Sequence, residues 1–145
     1  VDHSIFMQYA ERISDTFRRR AMNVPSSIVF LPCSDIQKTD AFYHGVLGLP
    51  IVQKQGENLS IFDTGYGYFG FCQYGDGRPL LSGPKGGCLS VHLADNEAVL
   101  DRFEELKDRC NVYKAPARHP VFPVYSFFLL DPDGYLVEYQ KIAQP

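Results

Sequence analysis

The sequence contains no tryptophan, only two methionines and four cysteines, and no two cysteines form a CxxC pair. These four cysteines lie in strand-like segments or at a helix end, at positions 33, 72, 88 and 110. Isolated cysteines of this kind indicate reduced, partly buried thiols, and we expect a cytoplasmic protein. The alternative is a secreted domain with two disulfides.

The sequence also lacks a strong charge of one sign and any long apolar run. Its net charge is −3 and its pI is near 5.8, which gives no reason to expect nucleic acid or an anionic membrane as a partner. No apolar run approaches the roughly 20 residues that cross a bilayer. The segment GPKGG in the Gly/Pro-rich stretch 75 to 87 lacks the GxxxxGK[ST] spacing, so we interpret the stretch as a flexible connector.

The 145 residues are 45% apolar and 14% aromatic, as expected for one globular domain. Residues 1 to 26 are predicted to form a helical extension, with a helix over residues 4 to 22. Its apolar residues recur every four positions, at Ile5, Tyr9, Ile13 and Phe17. This helix could cover a sheet edge, exchange across a dimer or serve as an interaction surface, and the sequence does not separate these uses.

Residues 27 to 145 are predicted to form a single domain in which one pattern occurs twice. Module one spans residues 27 to 75 and is joined by the linker 75 to 87 to module two, residues 88 to 142. In module one we expect a strand at 27–33, a helix at 35–48 and strands at 50–56, 58–64 and 66–74. In module two we expect a strand at 88–94, a helix at 95–109 and strands near 110–115, 124–130 and 135–142.

The two halves are in register. Ile28 lies seven residues before Asp35, which opens the first helix, and Cys88 lies seven residues before Asp95, which opens the second. A repeat of about 60 residues, each strand-helix-strand-strand-strand, therefore organises the chain.

The stretch 124 to 139 is predicted to be two strands joined by the tight turn Asp131-Pro132-Asp133-Gly134. Side chains alternate along a strand, so Leu136 and Glu138 share one face. A carboxylate among apolar neighbours needs a charge partner, a metal or a proton unless its face is exposed.

Two phrases carry a family resemblance: DAFYHGVLGLPIV at 40 to 52 and FFLLDPDGYLVEY at 127 to 139. On this doubled pattern they resemble the glyoxalase, bleomycin-resistance and extradiol-dioxygenase superfamily, also called vicinal oxygen chelate proteins. The resemblance implies an α+β fold of two tandem βαβββ modules that form a curled mixed sheet around a cleft, with the N-terminal helix as an addition. It also implies a homodimer and a small-molecule ligand.

The resemblance implies metal ligands on the first and fourth strand of each module. These positions fall on Ile28, Cys88 and Glu138, with Gln73 as the uncertain fourth. Ile28 cannot bind a metal, so we predict a degenerate metal site and expect no cofactor. The alternative is a divalent ion (Zn, Mn, Ni or Fe) held by Glu138 and Cys88.

The predicted cleft has apolar and aromatic walls with a few polar groups, as small-molecule sites do. Its predicted lining residues are Ile28, Phe30, Phe71, Gln73, Cys88, Ser90, Leu136 and Glu138. His92 shares the strand face of Cys88. Four residues along a strand span about 13 Å, however, which is too far for one metal ion to contact both side chains. His119 lies in a Pro-rich loop that the resemblance puts near the cleft mouth, and we count both histidines as candidate ligand contacts.

We therefore expect a metal-free binding protein that sequesters an apolar or aromatic ligand. The alternative is a glyoxalase-like lyase or isomerase, or a dioxygenase, that uses Glu138 as general base or metal ligand. A third interpretation is an interaction module whose cleft is filled by its own side chains.

Overall fold

The computed structural model describes residues 27–73 and 85–143. The predicted N-terminal helix, the extension 1–26 and most of the linker lie outside the described residues. Among the described residues, no helix has the length and apolar character needed to cross a membrane.

The described residues form two strand-helix-strand-strand-strand units. The elements of module one are β1 (Ile28–Pro32), α1 (Ile36–Asp40), a π-helical turn (Ala41–Val46), β2 (Ile51–Gln55), β3 (Leu59–Asp63) and β4 (Tyr68–Cys72). The elements of module two are β5 (Cys88–His92), α2 (Asn96–Leu106), β6 (Asn111–Arg118), β7 (Val124–Leu130) and β8 (Leu136–Ile142). The chain has the predicted α+β fold of two tandem βαβββ modules.

Each module contributes its own four-stranded mixed sheet. The strand orders are β1-β4-β3-β2 and β5-β8-β7-β6, so the two sheets have the same topology. In each sheet the first and last strands of the module are parallel, and the other neighbours are antiparallel. The first and fourth strands of each module therefore lie side by side.

Both helices begin at the predicted aspartates. The Asp35 side chain accepts hydrogen bonds from the backbone N–H groups of Gln37 and Lys38, and the Asp95 side chain accepts one from Ala98. These contacts satisfy amides that have no partner within the helix. The first helix differs from prediction because it widens after Asp40 into a π-helical turn, which buries two successive aromatic residues, Phe42 and Tyr43.

The core lies between each sheet and its own helix. In module one, Phe71 is fully buried and stacks on Tyr43 at a centroid distance of 4.5 Å. In module two, Phe127 is fully buried and packs against Phe103 of α2 at 5.3 Å. We call this the helix-facing side of each sheet. The opposite side, on which neither of the described helices packs, is called the helix-free face.

The β7–β8 turn joins the two modules. The Tyr43 hydroxyl of module one donates a buried hydrogen bond of 2.9 Å to Asp131 Oδ2, and Ser34 Oγ donates to Asp133 Oδ1. In return, the Tyr135 hydroxyl donates to the carbonyl of Pro32 at 2.8 Å. The turn residues predicted from the sequence therefore also hold module two against module one.

Candidate functional site

Glu138 lies on the helix-free face of sheet two, in a row set by the strand register. Ser90 of β5 is directly opposite Glu138 of β8, and on the other side of Glu138 lies Phe128 of β7. Cys88 and Leu136 form the next opposite pair on the same face. The structure thus brings together four of the predicted site residues: Cys88, Ser90, Leu136 and Glu138.

A chain of hydrogen bonds holds the Glu138 carboxylate. Gln140 Nε2 donates to Ser90 Oγ at 2.8 Å, and the Ser90 hydroxyl donates to Glu138 Oε1 at 2.8 Å. Residues two apart on a strand share a face, which explains why Gln140 can reach the same serine. Within the described ranges, Glu138 Oε2 has no hydrogen-bond or ion-pair partner.

Two other predicted site residues have shifted pKa values on this face. Burial, followed by the negative charge of Glu138, raises the pKa of the Cys88 thiol. Burial and the nearby Lys141 lower the pKa of His92. His92 Nε2 accepts a hydrogen bond from the backbone N–H of Ile142, so the ring is neutral and carries its proton on Nδ1.

On the same face of sheet one, the two positions that correspond to Ser90 and Glu138 have no side-chain donor atom. Ile28 lies opposite Tyr68 and Phe30 lies opposite Gly70. The Phe30 ring covers Gly70 so closely that a Cβ atom at position 70 would lie 2.5 Å from the ring. By register, Gly70 is the counterpart of Glu138, just as Phe30 is the counterpart of Ser90.

Two predicted cleft residues lie on the other side of sheet one. Phe71 pairs with Leu31 in register, so its side chain points to the helix-facing side, where it is buried against Tyr43. Gln73 follows β4, and its Oε1 accepts the backbone N–H of Ile36 at 3.0 Å, which satisfies the start of α1. Phe71 and Gln73 were predicted to share a face with Ile28 and Phe30, and this prediction is wrong. The register of β1 and β4 places Gly70, not Phe71, beside Phe30.

His119 is used within its own loop. Its Nδ1 accepts the backbone N–H groups of Val121 and Phe122, and its ring lies 4.8 Å from that of Phe122. The loop follows β6, the edge strand farthest from β5 in sheet two. The structure therefore does not bring His119 into contact with Glu138.

An apolar cavity of about 430 Å³ lies between the two modules. It is lined by Val29, Leu31, Pro32, Lys85, Gly86, Gly87, Cys88, Leu89, Tyr135 and Leu136. Lys85 Nζ lies 5.5 Å above the Tyr135 ring, and burial raises the pKa of Tyr135 to about 12. Cys88 and Leu136 line the cavity, and they form the strand pair next to Ser90 and Glu138 on the same face. Ser90 and Glu138 themselves are not among the lining residues.

The chain also matches a known family. Residues 26–139 match the family model described as the Glyoxalase/Bleomycin resistance protein/Dioxygenase superfamily. The chain belongs to this superfamily. No curated protein matches the chain.

Several solved structures have a similar fold. A glyoxalase/bleomycin resistance protein/dioxygenase family enzyme from Burkholderia phytofirmans PsJN is 23% identical, with a TM-score of 0.68 over 81% of this chain and 98% of that one. Lactoylglutathione lyase from Agrobacterium tumefaciens is 25% identical, with a TM-score of 0.61 over 79% of this chain and 91% of that one. TioX from Micromonospora sp. ML1 is 18% identical, with a TM-score of 0.61 over 81% and 98% of the two chains.

The donor set does not fit the divalent metal that the glyoxalase superfamily implies. The four positions expected to hold it are occupied by Ile28, Gly70, Cys88 and Glu138, and the first two have no donor atom in their side chains. A catalytic zinc ion takes three protein ligands, and a thiol paired with one carboxylate is poor for Mn²⁺ or Fe²⁺. In the part of the chain that the structure describes, no three His, Cys, Asp or Glu side chains form a group that could hold a metal.

Sequence reasoning missed three residues on the helix-free faces of the two sheets. Gln140 could have been found, because it lies two residues beyond Glu138 on the same strand face. Phe128 and Gly70 could not, because their place beside Glu138 and beneath Phe30 depends on the pairing of strands.

Proposed function

We propose that this protein binds an amphiphilic small molecule and does so without the metal centre of its superfamily. The observation that carries the proposal is the apolar cavity of about 430 Å³, two of whose lining residues, Cys88 and Leu136, form the strand pair next to Ser90 and Glu138. A cavity of this size, with apolar walls and a few polar groups at one side, is typical of small-molecule sites. Homodimerisation and a cytoplasmic location belong to the same proposal.

In this mechanism, affinity comes from removing the ligand's apolar surface from water. Each 100 Å² of apolar surface buried stabilises a complex by about 2.5 kcal/mol before the costs of association. Glu138 and Ser90 orient the polar end of the ligand. Gln73 binds the first amide of α1, and His119 binds amides of its own loop. Neither residue is part of the proposed site.

The first experiment is elemental analysis of the purified protein, before and after loading with Zn²⁺, Mn²⁺, Ni²⁺ and Fe²⁺. The proposal expects no stoichiometric metal, in the wild type and in Glu138→Ala alike. Near-stoichiometric metal that is lost in Glu138→Ala would overturn it and would identify a metalloenzyme with an unusual ligand set.

The second candidate function is a metal-free lyase or isomerase that uses Glu138 as general base. One observation favours it: Glu138 Oε1 is fixed by Ser90, while Oε2 accepts no hydrogen bond within the described ranges. A positioned carboxylate with a free oxygen can take a proton from a bound substrate. Glu138→Gln separates the two functions, because it abolishes turnover by a general base but leaves the binding of an uncharged apolar ligand largely unchanged.

A further inference from the structure

We propose that the polar end of the ligand is a protonated amine, bound by the Glu138 carboxylate. This inference rests on the proposed function and names the chemical class of ligand for the same site.

The hydrogen bonds around Glu138 leave acceptors without donors. The Ser90 hydroxyl proton is given to Glu138 Oε1, and a Gln140 amide N–H is given to Ser90. Glu138 Oε2 and the buried Gln140 Oε1 have no hydrogen-bond partner among residues 27–73 and 85–143. Glu138 Oε2 is therefore available to accept a hydrogen bond from a donor group of a ligand.

The orientation of the Gln140 amide follows from the same chain. If the amide were reversed, its oxygen would face Ser90 Oγ, whose only proton is already given to Glu138. The observed orientation is the one that satisfies both contacts. It leaves the amide oxygen Oε1 as a hydrogen-bond acceptor without a donor among the described residues.

The surroundings of Glu138 favour an organic cation over a neutral donor. Glu138 is half-buried, and its neighbours in register are Ser90 and the half-buried ring of Phe128. A carboxylate removed partly from water gains from a positive partner, and an aromatic ring beside it attracts a cation as well. Lys114 lies beyond Phe128 on β6, is exposed and forms no ion pair with Glu138 in the described structure.

The test compares three probes that each carry a phenyl group on a four-carbon chain and differ in the terminal polar group: phenylbutylamine, phenylbutanol and phenylbutyrate. Binding of each to the wild-type protein is measured by isothermal titration calorimetry at neutral pH and low salt. We expect the amine to bind at least about tenfold more tightly than the alcohol, because a charge-assisted hydrogen bond is worth more than a neutral one. The carboxylate probe should bind most weakly.

In Glu138→Gln, the amine should bind no more tightly than the alcohol, while the affinity for the alcohol changes little. Glu57→Gln is the matched control, because it removes the same charge from an exposed residue of module one and should keep the amine preference. Ser90→Ala retains the carboxylate and should also keep a preference for the amine. Urea unfolding of each variant verifies that it is folded.

The outcomes separate this inference from the function on which it rests. Equal affinity of the wild type for amine and alcohol would overturn the amine proposal and leave the binding function intact. Tightest binding of phenylbutyrate would overturn it as well and would indicate a cationic group of the protein as the partner. Failure of all three probes to bind would count against both proposals.

Discussion

The two modules of this protein have the same topology and register but different side chains at one equivalent row of their helix-free faces. In module one the row across the first and fourth strands is Phe30 and Gly70, whereas in module two the corresponding row is Ser90 and Glu138. The first row is apolar, whereas the second carries a carboxylate that is fixed by a hydrogen bond. Because the helix-facing sides hold the core, the opposite faces are free to diverge without loss of the fold.

The turns between the third and fourth strands differ in a similar way. In module one, Asp63 Oδ1 accepts the backbone N–H of Gly65 at 2.7 Å in an exposed turn. In module two, Asp131 Oδ1 accepts the backbone N–H groups of Asp133 and Tyr135, and Oδ2 is covered by Tyr43 of module one. In both modules the aspartate stabilises its own turn. In module two the same aspartate also accepts a hydrogen bond that joins the two modules.

The largest expected effect tests which face of sheet one is buried. Phe71→Ala should lower the free energy of unfolding by about 3–5 kcal/mol, because it leaves a cavity beside Tyr43. Phe30→Ala, at a side chain that is 45% exposed, should cost about 1 kcal/mol or less. Urea unfolding measures both variants. Equal costs would contradict the assignment of the two faces.

The inter-module contact provides the next test. Tyr43→Phe removes the hydroxyl that covers Asp131 Oδ2 and should lower the free energy of unfolding by about 1–3 kcal/mol. Tyr113→Phe, at an exposed tyrosine, is the control and should change it by less than about 0.5 kcal/mol. If the two variants were equally stable, the hydrogen bond to Asp131 would not contribute to joining the modules.

The next comparison concerns the reactivity of one cysteine thiol in each module. Cys33 of module one is buried, and burial raises its pKa from 9.0 to about 11. Cys88 of module two is exposed, and its thiol is only partly buried, although this partial burial also raises its pKa. Iodoacetamide should therefore alkylate Cys33 at least about tenfold more slowly than Cys88, as measured by peptide mass spectrometry. In Glu138→Gln the loss of the neighbouring negative charge should accelerate alkylation of Cys88 and leave Cys33 unchanged.

The smallest expected effect is a pH dependence at Asp131. Burial is the largest influence on this carboxyl and raises its pKa above 3.8. The native state then binds the proton more tightly than the unfolded state, so this group's contribution to stability is lost as pH rises from 3.8 through the native pKa. Relative to Asp131→Asn, the wild type should lose free energy of unfolding across that window. A difference that rises with pH would refute the direction of the shift.

Much of the candidate site could be predicted because strand alternation relates residues that are close in sequence. Leu136 and Glu138 share a face, and so do Cys88 and Ser90, as the period of two requires. The prediction failed for Phe71 and Gln73, since alternation says nothing about which face of one strand continues onto another. That choice is made by the pairing of β1 with β4, which sets Phe71 beside Leu31.

The sequence by itself determined the superfamily, the doubled βαβββ pattern, the two aspartates that begin the helices and the face shared by Glu138 and Leu136. These features depend on local chemistry: turn residues, helix caps and the alternation of side chains. Only the tertiary structure decided that Gly70 lies beneath Phe30, that Phe128 lies beside Glu138 and that Tyr43 covers Asp131. Each of these contacts joins residues far apart in the chain, and the strand register and the packing of one module on the other bring them together.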